Sequence, residues 1–197
     1  GLEHAVGLCA AGYLAVGLAA LVSRPARRGL PAVAGGRAAA LGVAGAAAGV
    51  LLTWALPRWD TERMMSGPFV YARDYMRRAI VPTGEHLELV RNRMVRGDLL
   101  FYREGPTASV SVRREGSILS LRINGKTDAS TGGDLPTQLL LGHLPMLLHA
   151  QPRRALVVGL GSGITLGAVL QHPVEGVDLV ELSPEVLEAA RQFAEHN

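Results

Sequence analysis

The chain has 197 residues, of which 48% are hydrophobic and 19% charged, and its formal net charge at pH 7 is only +3. The basic residues are scattered arginines with a single lysine, and no cluster of them is interleaved with aromatic side chains, so we predict no nucleic-acid partner. The single cysteine, Cys9, excludes an internal disulfide, and no Cys/His spacing is typical of a metal site.

Two uncharged apolar runs open the chain, at residues 5–22 and 38–57. Crossing the hydrocarbon core of a bilayer takes about 20 apolar residues in a helix, and both runs approach or reach that length. Gly45 and Gly49 stand four apart, which would let two membrane helices pack closely. We therefore predict two transmembrane helices within residues 1–57 and a multi-pass membrane protein, as of a bacterial inner membrane, with the lipid bilayer as a partner. A pair of Ala/Gly-rich helices buried in a soluble core is the alternative.

A soluble composition begins after the second run. Residues 58–98 form a predicted connecting segment, in which Leu87, Val90 and Met94 recur at helical spacing and predict a helix over residues 85–95.

A small antiparallel β-unit is predicted next, over residues 99–134. The runs at 108–112 and 118–123 have strand-like alternation, and the residues between them read as a hairpin connection containing glycine. Asn124-Gly125 then predicts a turn, because both residues tolerate a positive φ.

A second helix is predicted over residues 135–149. Pro136 suits its first turn, whereas Pro145 is expected to kink or split it. We interpret His143, on its apolar stretch, as a core histidine rather than a catalytic base.

The remaining chain follows the order strand, glycine turn, helix, strand, acid, helix. Residues 155–158 are apolar, as a strand buried on both faces should be, and glycines stand at 159, 161 and 163. A helical run over 164–171 and a second apolar strand over 177–180 come next, and Glu181 ends that strand. Residues 135–197 are therefore predicted to be the first part of a Rossmann-like, nucleoside-binding α/β domain.

Each part of this order has a chemical purpose. The glycines allow a tight turn and a close approach of a ligand to backbone N–H groups at a helix N-terminus. Glu181 is placed to accept hydrogen bonds from ribose hydroxyls. Because Ile164 stands where the dinucleotide fingerprint has glycine, the pattern favours an S-adenosylmethionine-type fold. The alternative is a glycine turn that only packs a helix on a strand, with Glu181 as a solvated carboxylate.

Several short motifs in this order carry a family resemblance: Glu104-Gly105, Val110-Ser111-Val112, Asn124-Gly125-Lys126, Thr137-Gln138, Leu141-Gly142-His143-Leu144-Pro145, residues 156–163 and Val180-Glu181. With them the chain resembles the spermidine synthase (polyamine aminopropyltransferase) family, most closely its membrane-fused branch. The likeness covers about half of the chain, from near Leu99 to the end.

The resemblance implies that decarboxylated S-adenosylmethionine lies on the glycine loop as a substrate, with no metal. The implied nucleoside-binding residues are Gly159, Gly161, Ser162, Gly163, Gln138 and Glu181, with Glu181 on the ribose. A polyamine amine then attacks the methylene carbon next to sulfur, and Asp128 is the candidate residue for binding that substrate. The carboxylate that helps to deprotonate the amine is implied to lie past Asn197, so no catalytic residue is assigned.

The predicted function is that of a membrane-bound, aminopropyltransferase-like protein of polyamine biosynthesis. Ser162 stands where the family has an acid, which leaves open a methyltransferase that uses ordinary S-adenosylmethionine. A non-catalytic membrane protein that binds a nucleoside or polyamine is the third hypothesis. The chain starts at Gly1 and stops at Asn197 within a predicted helix, so we expect a fragment of a longer protein. Homo-oligomerisation and the side of the membrane that holds the C-terminal part stay open.

Overall fold

The chain divides into two units, residues 1–59 and residues 60–197. The structure, a computed structural model, describes residues 2–22, 43–45, 47–51, 54, 59–76 and 84–197. In the first unit, helix α1 spans Leu2–Val22, and the described residues from 43 to 54 are also helical. A Cβ built on Gly49 would lie 3.6 Å from the Cα of Ala11, an ordinary contact distance, so the second helical segment packs directly on α1.

The prediction of transmembrane helices is wrong. Among the residues that the structure describes, no helix is both long and apolar enough to cross a membrane. Part of the second predicted helix, residues 38–57, lies outside the described residues. The predicted multi-pass membrane localisation is wrong for the same reason. The predicted bilayer partner and membrane-fused branch rested on the same two helices and are not supported.

Within the described residues 60–76 and 84–97, three helices precede the sheet of the second unit: α2 (Thr61–Met64), α3 (Pro68–Met76) and α4 (Gly84–Met94). The helical spacing of the apolar residues in α4 predicted that helix to within one residue at each end. The helices α2 and α3 were not predicted, because their stretch of chain has no clear apolar period. Helix α2 begins after Asp60, whose carboxylate accepts the N–H of Arg63 at 3.1 Å.

The β-unit is a four-stranded antiparallel sheet in the order β1-β2-β3-β4. Its strands are β1 (Asp98–Glu104), β2 (Ser109–Glu115), β3 (Ile118–Ile123) and β4 (Lys126–Ser130). The predicted hairpin of β2 and β3 is confirmed. The predicted turn is confirmed as well, since Asn124 has φ 51° and Gly125 has φ 82° between β3 and β4. The outer strands β1 and β4 were not recognised from the sequence.

One face of this sheet forms the main hydrophobic core. Val110, Val112, Leu119 and Leu121 alternate along β2 and β3 and are buried against Val186, Ala189 and Phe193, which follow the second parallel strand described below. Complete burial of such a side chain stabilises the fold by about 1.5–3 kcal/mol. The core therefore joins the β-unit to the last residues of the chain.

The opposite face of the sheet buries Arg113, whose side chain is 1% exposed. Its Nη2 donates to the carbonyl oxygens of Val95, Arg96 and Gly97 at 2.9, 3.2 and 2.9 Å. These carbonyls directly follow α4, where a helix leaves acceptors without partners. Burial lowers the pKa of the Arg113 guanidinium. The arginine thus fastens the end of α4 to the sheet.

The final part has the predicted order of elements. It consists of α5 (Leu135–Leu148), β5 (Arg154–Val158), α6 (Ile164–Leu170), β6 (Gly176–Val180), α7 (Pro184–Ala190) and a 3₁₀ turn (Arg191–Phe193). The strands β5 and β6 pair in parallel. Pro145 does not split α5, because it lies in the last turn and the helix ends three residues later.

Helix α5 packs tightly on α6. A Cβ built on Gly142 would lie 2.5 Å from the Cβ of Ala168 and 2.7 Å from the carbonyl oxygen of Thr165, so only glycine fits there without a shift. The rings of His143 and His172 also meet, with Nδ1 and Nε2 3.0 Å apart. His143 is half-buried rather than enclosed in the core, and its interpretation as a core histidine rather than a base stays a prediction. The packing sets α5 beside the turn that begins α6.

Candidate nucleoside-binding site

The glycine loop, residues 159–163, connects β5 to α6. Gly159, Gly161 and Gly163 have φ angles of 84°, 55° and 85°, which lie in the left-handed region that side chains other than glycine rarely adopt. The N–H of Gly159 donates to the carbonyl oxygen of Val180 at 2.7 Å, and that of Gly163 donates to Leu160 at 2.9 Å. The loop is therefore a compact turn at the carboxyl ends of two adjacent parallel strands, where α/β sheets bind their ligands.

Glu181 is the first residue after β6, and its half-buried carboxylate holds two segments of backbone. Oε2 accepts the N–H of Leu160 at 2.7 Å, and Oε1 accepts the N–H of Ser183 at 2.9 Å. An ionised carboxylate has about four acceptor positions, so each oxygen retains capacity for a ribose hydroxyl. The structure thus brings the predicted ribose partner into direct contact with the predicted glycine loop.

Gln138 and Ser162 also meet, although 24 positions separate them in sequence. The hydroxyl of Ser162 donates to Oε1 of Gln138 at 2.6 Å. Nε2 of Gln138 donates to the carbonyl oxygen of Ser130 at 2.7 Å and to Oδ2 of Asp134 at 3.0 Å. The side-chain amide of Gln138 therefore links α5, the end of β4 and the glycine loop.

Asp128 lies on β4, the strand that runs beside the loop. A Cβ built on Gly161 would lie 3.9 Å from the Cβ of Ala129, the next residue of that strand. The carboxylate of Asp128 itself accepts Nζ of Lys126 at 2.8 Å, and this hydrogen bond raises the pKa of the lysine. The candidate polyamine residue is thus near the loop along the backbone, but its side chain is paired with an exposed lysine.

The sequence reasoning missed Asp134. An acid directly before a helix that has proline in its first turn is an ordinary N-cap signal, and nothing in the sequence indicated another role. In the structure its side chain caps nothing on α5 and turns back to Ser130 and Gln138. As for metals, the part of the chain that the structure describes holds no group of three or more His, Cys, Asp or Glu side chains suited to an ion.

Comparison with known proteins identifies the part of the chain that holds this site. Residues 135–197, which begin with α5 and include the glycine loop and Glu181, match the family model of the spermine/spermidine synthase domain. Over this segment the chain resembles the spermidine synthase family. The resemblance predicted from the sequence is thereby confirmed.

Individual relatives of the spermidine synthase family match a longer stretch of the chain. A spermidine synthase of Dictyostelium discoideum is 39% identical over 74 residues, which are 37% of this chain and 26% of that protein. A polyamine aminopropyltransferase of Aeropyrum pernix is 38% identical over 86 residues, which are 43% of this chain and 27% of that protein. The chain therefore spans about a quarter of the length of these curated relatives.

Among solved structures, the spermidine synthase of Thermotoga maritima is similar to this chain with 27% sequence identity and a TM-score of 0.46. The match covers 49% of this chain and 35% of that one. A spermidine synthase in complex with the transition-state analogue AdoDATO gives the same values.

Proposed function

We propose that the glycine loop and Glu181 bind the nucleoside of decarboxylated S-adenosylmethionine, and that this site serves the transfer of its aminopropyl group to a polyamine. The observation that carries the proposal is the direct hydrogen bond between the glycine loop and Glu181. Glu181 contacts Leu160 in the loop and Ser183 before α7, so its carboxylate is oriented at the crevice where the two strands end. The aminopropyltransferase relatives support this choice of reaction over a methyl transfer.

The surface that the loop offers suits a nucleoside. Three of its five residues have no side chain, and the hydroxyl of Ser162 is turned inward to Gln138, with the residue 1% exposed. A ligand therefore approaches backbone rather than side chains. The negative charge of Glu181 favours both ribose hydroxyls, as hydrogen-bond donors, and a nearby sulfonium cation.

The proposed reaction is a displacement at carbon. The lone pair of a polyamine nitrogen attacks the methylene carbon next to the sulfonium, and a C–N bond forms. The C–S bond breaks and its electron pair returns to sulfur, which becomes a neutral thioether. The nitrogen must be an unprotonated amine before it attacks, because an ammonium has no lone pair. The ammonium that the new C–N bond creates then releases one proton to solvent.

Asp128 is the proposed contact for the polyamine, whose ammonium groups a carboxylate attracts. In the structure that carboxylate is occupied by Lys126, and the pair is exposed. A polyamine ammonium would therefore compete with Lys126 for the same oxygen atoms. Since exposed ion pairs contribute little to stability, a polyamine ammonium displaces Lys126 at small cost.

Isothermal titration calorimetry on the 197-residue chain tests the proposal. Decarboxylated S-adenosylmethionine, ordinary S-adenosylmethionine and NAD are titrated separately. We expect decarboxylated S-adenosylmethionine to bind most tightly and NAD not to bind. Tighter binding of ordinary S-adenosylmethionine would favour methyl transfer, and binding of NAD alone would contradict the proposed function.

A further inference from the structure

The carboxylate of Asp134 accepts more hydrogen bonds than any capping role on α5 would require. Oδ2 accepts the N–H of Ser130 at 2.8 Å and Nε2 of Gln138 at 3.0 Å, and Oδ1 accepts the hydroxyl of Ser130. We propose that Asp134 is a positioning residue, which sets the orientation of the Gln138 amide and, through it, the Ser162 hydroxyl and the backbone of the glycine loop. This inference rests on the proposed function of that loop.

Asp134, Gln138 and Ser162 form a series of hydrogen-bonded side chains, and the chemistry of each group determines which atom donates and which accepts. An ionised carboxylate only accepts, so the group of Gln138 that faces Asp134 must be its NH₂ group. The carbonyl oxygen of Ser130, at 2.7 Å from the same Nε2, imposes the same orientation. Oε1 of Gln138 must then face Ser162 as an acceptor, and the Ser162 hydroxyl must donate.

The orientation of Ser162 matters because the residue is in the middle of the loop. With its proton directed at Gln138, Oγ of Ser162 is left as an acceptor towards the N–H of Ile164, the first residue of α6, at 3.4 Å. The backbone of α5 adds a parallel contact, since Oγ1 of Thr165 donates to the carbonyl oxygen of Gln138 at 3.0 Å. The series therefore holds the beginning of α6 as well as the loop.

Because Ser130 and Ser162 are buried, loss of any hydrogen bond in the series should disturb the remaining ones. Ser130 is 6% and Ser162 1% exposed, so water does not readily replace a lost partner at either end. A buried donor or acceptor left without a partner loses its full solvation, which outweighs the small net gain of an ordinary hydrogen bond. A change at Asp134 should therefore alter the surroundings of Ser162 through the side chain of Gln138.

The test removes the acceptor at position 134 and then restores it. In Asp134→Ala, the N–H of Ser130 loses its acceptor and Nε2 of Gln138 loses one of its two acceptors. In Asp134→Asn, the side-chain oxygen can take the place of Oδ2 and accept both groups, while the NH₂ group donates to the hydroxyl oxygen of Ser130. The matched control is Asp178→Ala, because Asp178 is an exposed acid of β6 that pairs with Arg154.

Dissociation constants for decarboxylated S-adenosylmethionine are measured by calorimetry, with the melting temperature as a check on folding. We expect Asp134→Ala to bind about tenfold more weakly and Asp134→Asn to stay within about threefold of the wild type. The control should bind as the wild type does. Unchanged binding by a folded Asp134→Ala protein, or equally weak binding by the two variants, would overturn the inference.

Hydrogen exchange separates this inference from the proposed function. The exchange rates of the N–H groups of Gly163 and Ile164 are measured without ligand. We expect them to rise about tenfold in Asp134→Ala and to stay near the wild-type rates in Asp134→Asn. If the wild type binds none of the nucleosides, the proposed function fails, and the exchange rates alone decide about Asp134. Unchanged rates would show that Asp134 does not position the loop.

Discussion

The carboxylate of Glu181 accepts the backbone N–H of Leu160 at 2.7 Å, so the acid that follows β6 holds the glycine loop that follows β5. Leu160 and Glu181 come just after neighbouring parallel strands. The pairing of these strands brings the two residues together although 21 positions separate them. A residue expected to serve only a ligand therefore also shapes the loop that would receive the ligand. Stability and binding should change together when it is replaced.

Glu181→Gln should both destabilise the protein and weaken nucleoside binding. The glutamine amide retains one acceptor oxygen, and its NH₂ group faces a backbone N–H, so one of the hydrogen bonds from Leu160 and Ser183 is lost. We expect a loss of about 1–3 kcal/mol in the free energy of unfolding, measured by urea denaturation. Calorimetry should show weaker binding of decarboxylated S-adenosylmethionine. A variant that binds as tightly as the wild type would exclude Glu181 as the ribose partner.

Gly142→Ala should destabilise the packing of α5 on α6. The added methyl group would lie 2.5 Å from the Cβ of Ala168 and 2.7 Å from the carbonyl oxygen of Thr165, so backbone must move. We expect a loss of about 1–3 kcal/mol, seen as a lower melting temperature. Gly133→Ala is the control, because a Cβ there has no atom within 4 Å. Equal effects of the two substitutions would contradict this account of the contact.

Leu121→Ala tests the core that joins the β-unit to α7. Leu121 is fully buried in the same cluster as Val186 and Phe193, so truncation leaves a cavity between the sheet and the end of the chain. We expect a loss of about 2–5 kcal/mol in urea denaturation. Ile118→Ala, at a position 44% exposed on the same strand, should cost clearly less. If the two losses are similar, the core does not lie where the structure places it.

Tyr102 should titrate at unusually high pH. Burial of the phenol, followed by its hydrogen bond to Glu104 at 2.6 Å, raises the pKa of Tyr102 from 10.0 to about 12. Because the phenol in the unfolded chain ionises first, stability should fall as the pH rises from about 10 to about 12. The difference in ultraviolet absorbance between the wild type and Tyr102→Phe gives the pKa. In Glu104→Gln it should move towards 10.0, and an unchanged value would exclude the contribution of Glu104.

The parts of the fold that were predicted correctly are those with a local signal. Alternation predicted β2 and β3, helical spacing predicted α4, and Asn124-Gly125 predicted the turn after β3. The edge strand β4 was missed because its polar sequence, Lys126–Ser130, has no apolar alternation. It becomes a strand by pairing with β3.

The candidate site shows the same division. Gly159, Gly161 and Gly163 were recognisable because a left-handed turn needs glycine whatever surrounds it. Asp134 was not, because an acid before a helix is an ordinary cap, and only the fold brings Ser130 and Gln138 to its carboxylate. The transmembrane prediction failed because it rested on apolar composition alone, and none of the described helices is both long and apolar enough to cross a membrane.

The sequence by itself determined the order of strand, glycine loop, helix, strand and acid, and with it the family resemblance of the segment from residue 135 onwards. These features depend on backbone conformation and on residues close together in the chain. The tertiary structure alone decided that Glu181 fastens the loop and that Asp134 orients Gln138 towards Ser162. Hydrogen-bond direction depends on which donors and acceptors the packed elements bring within 3 Å of each other, and no local pattern contains that information.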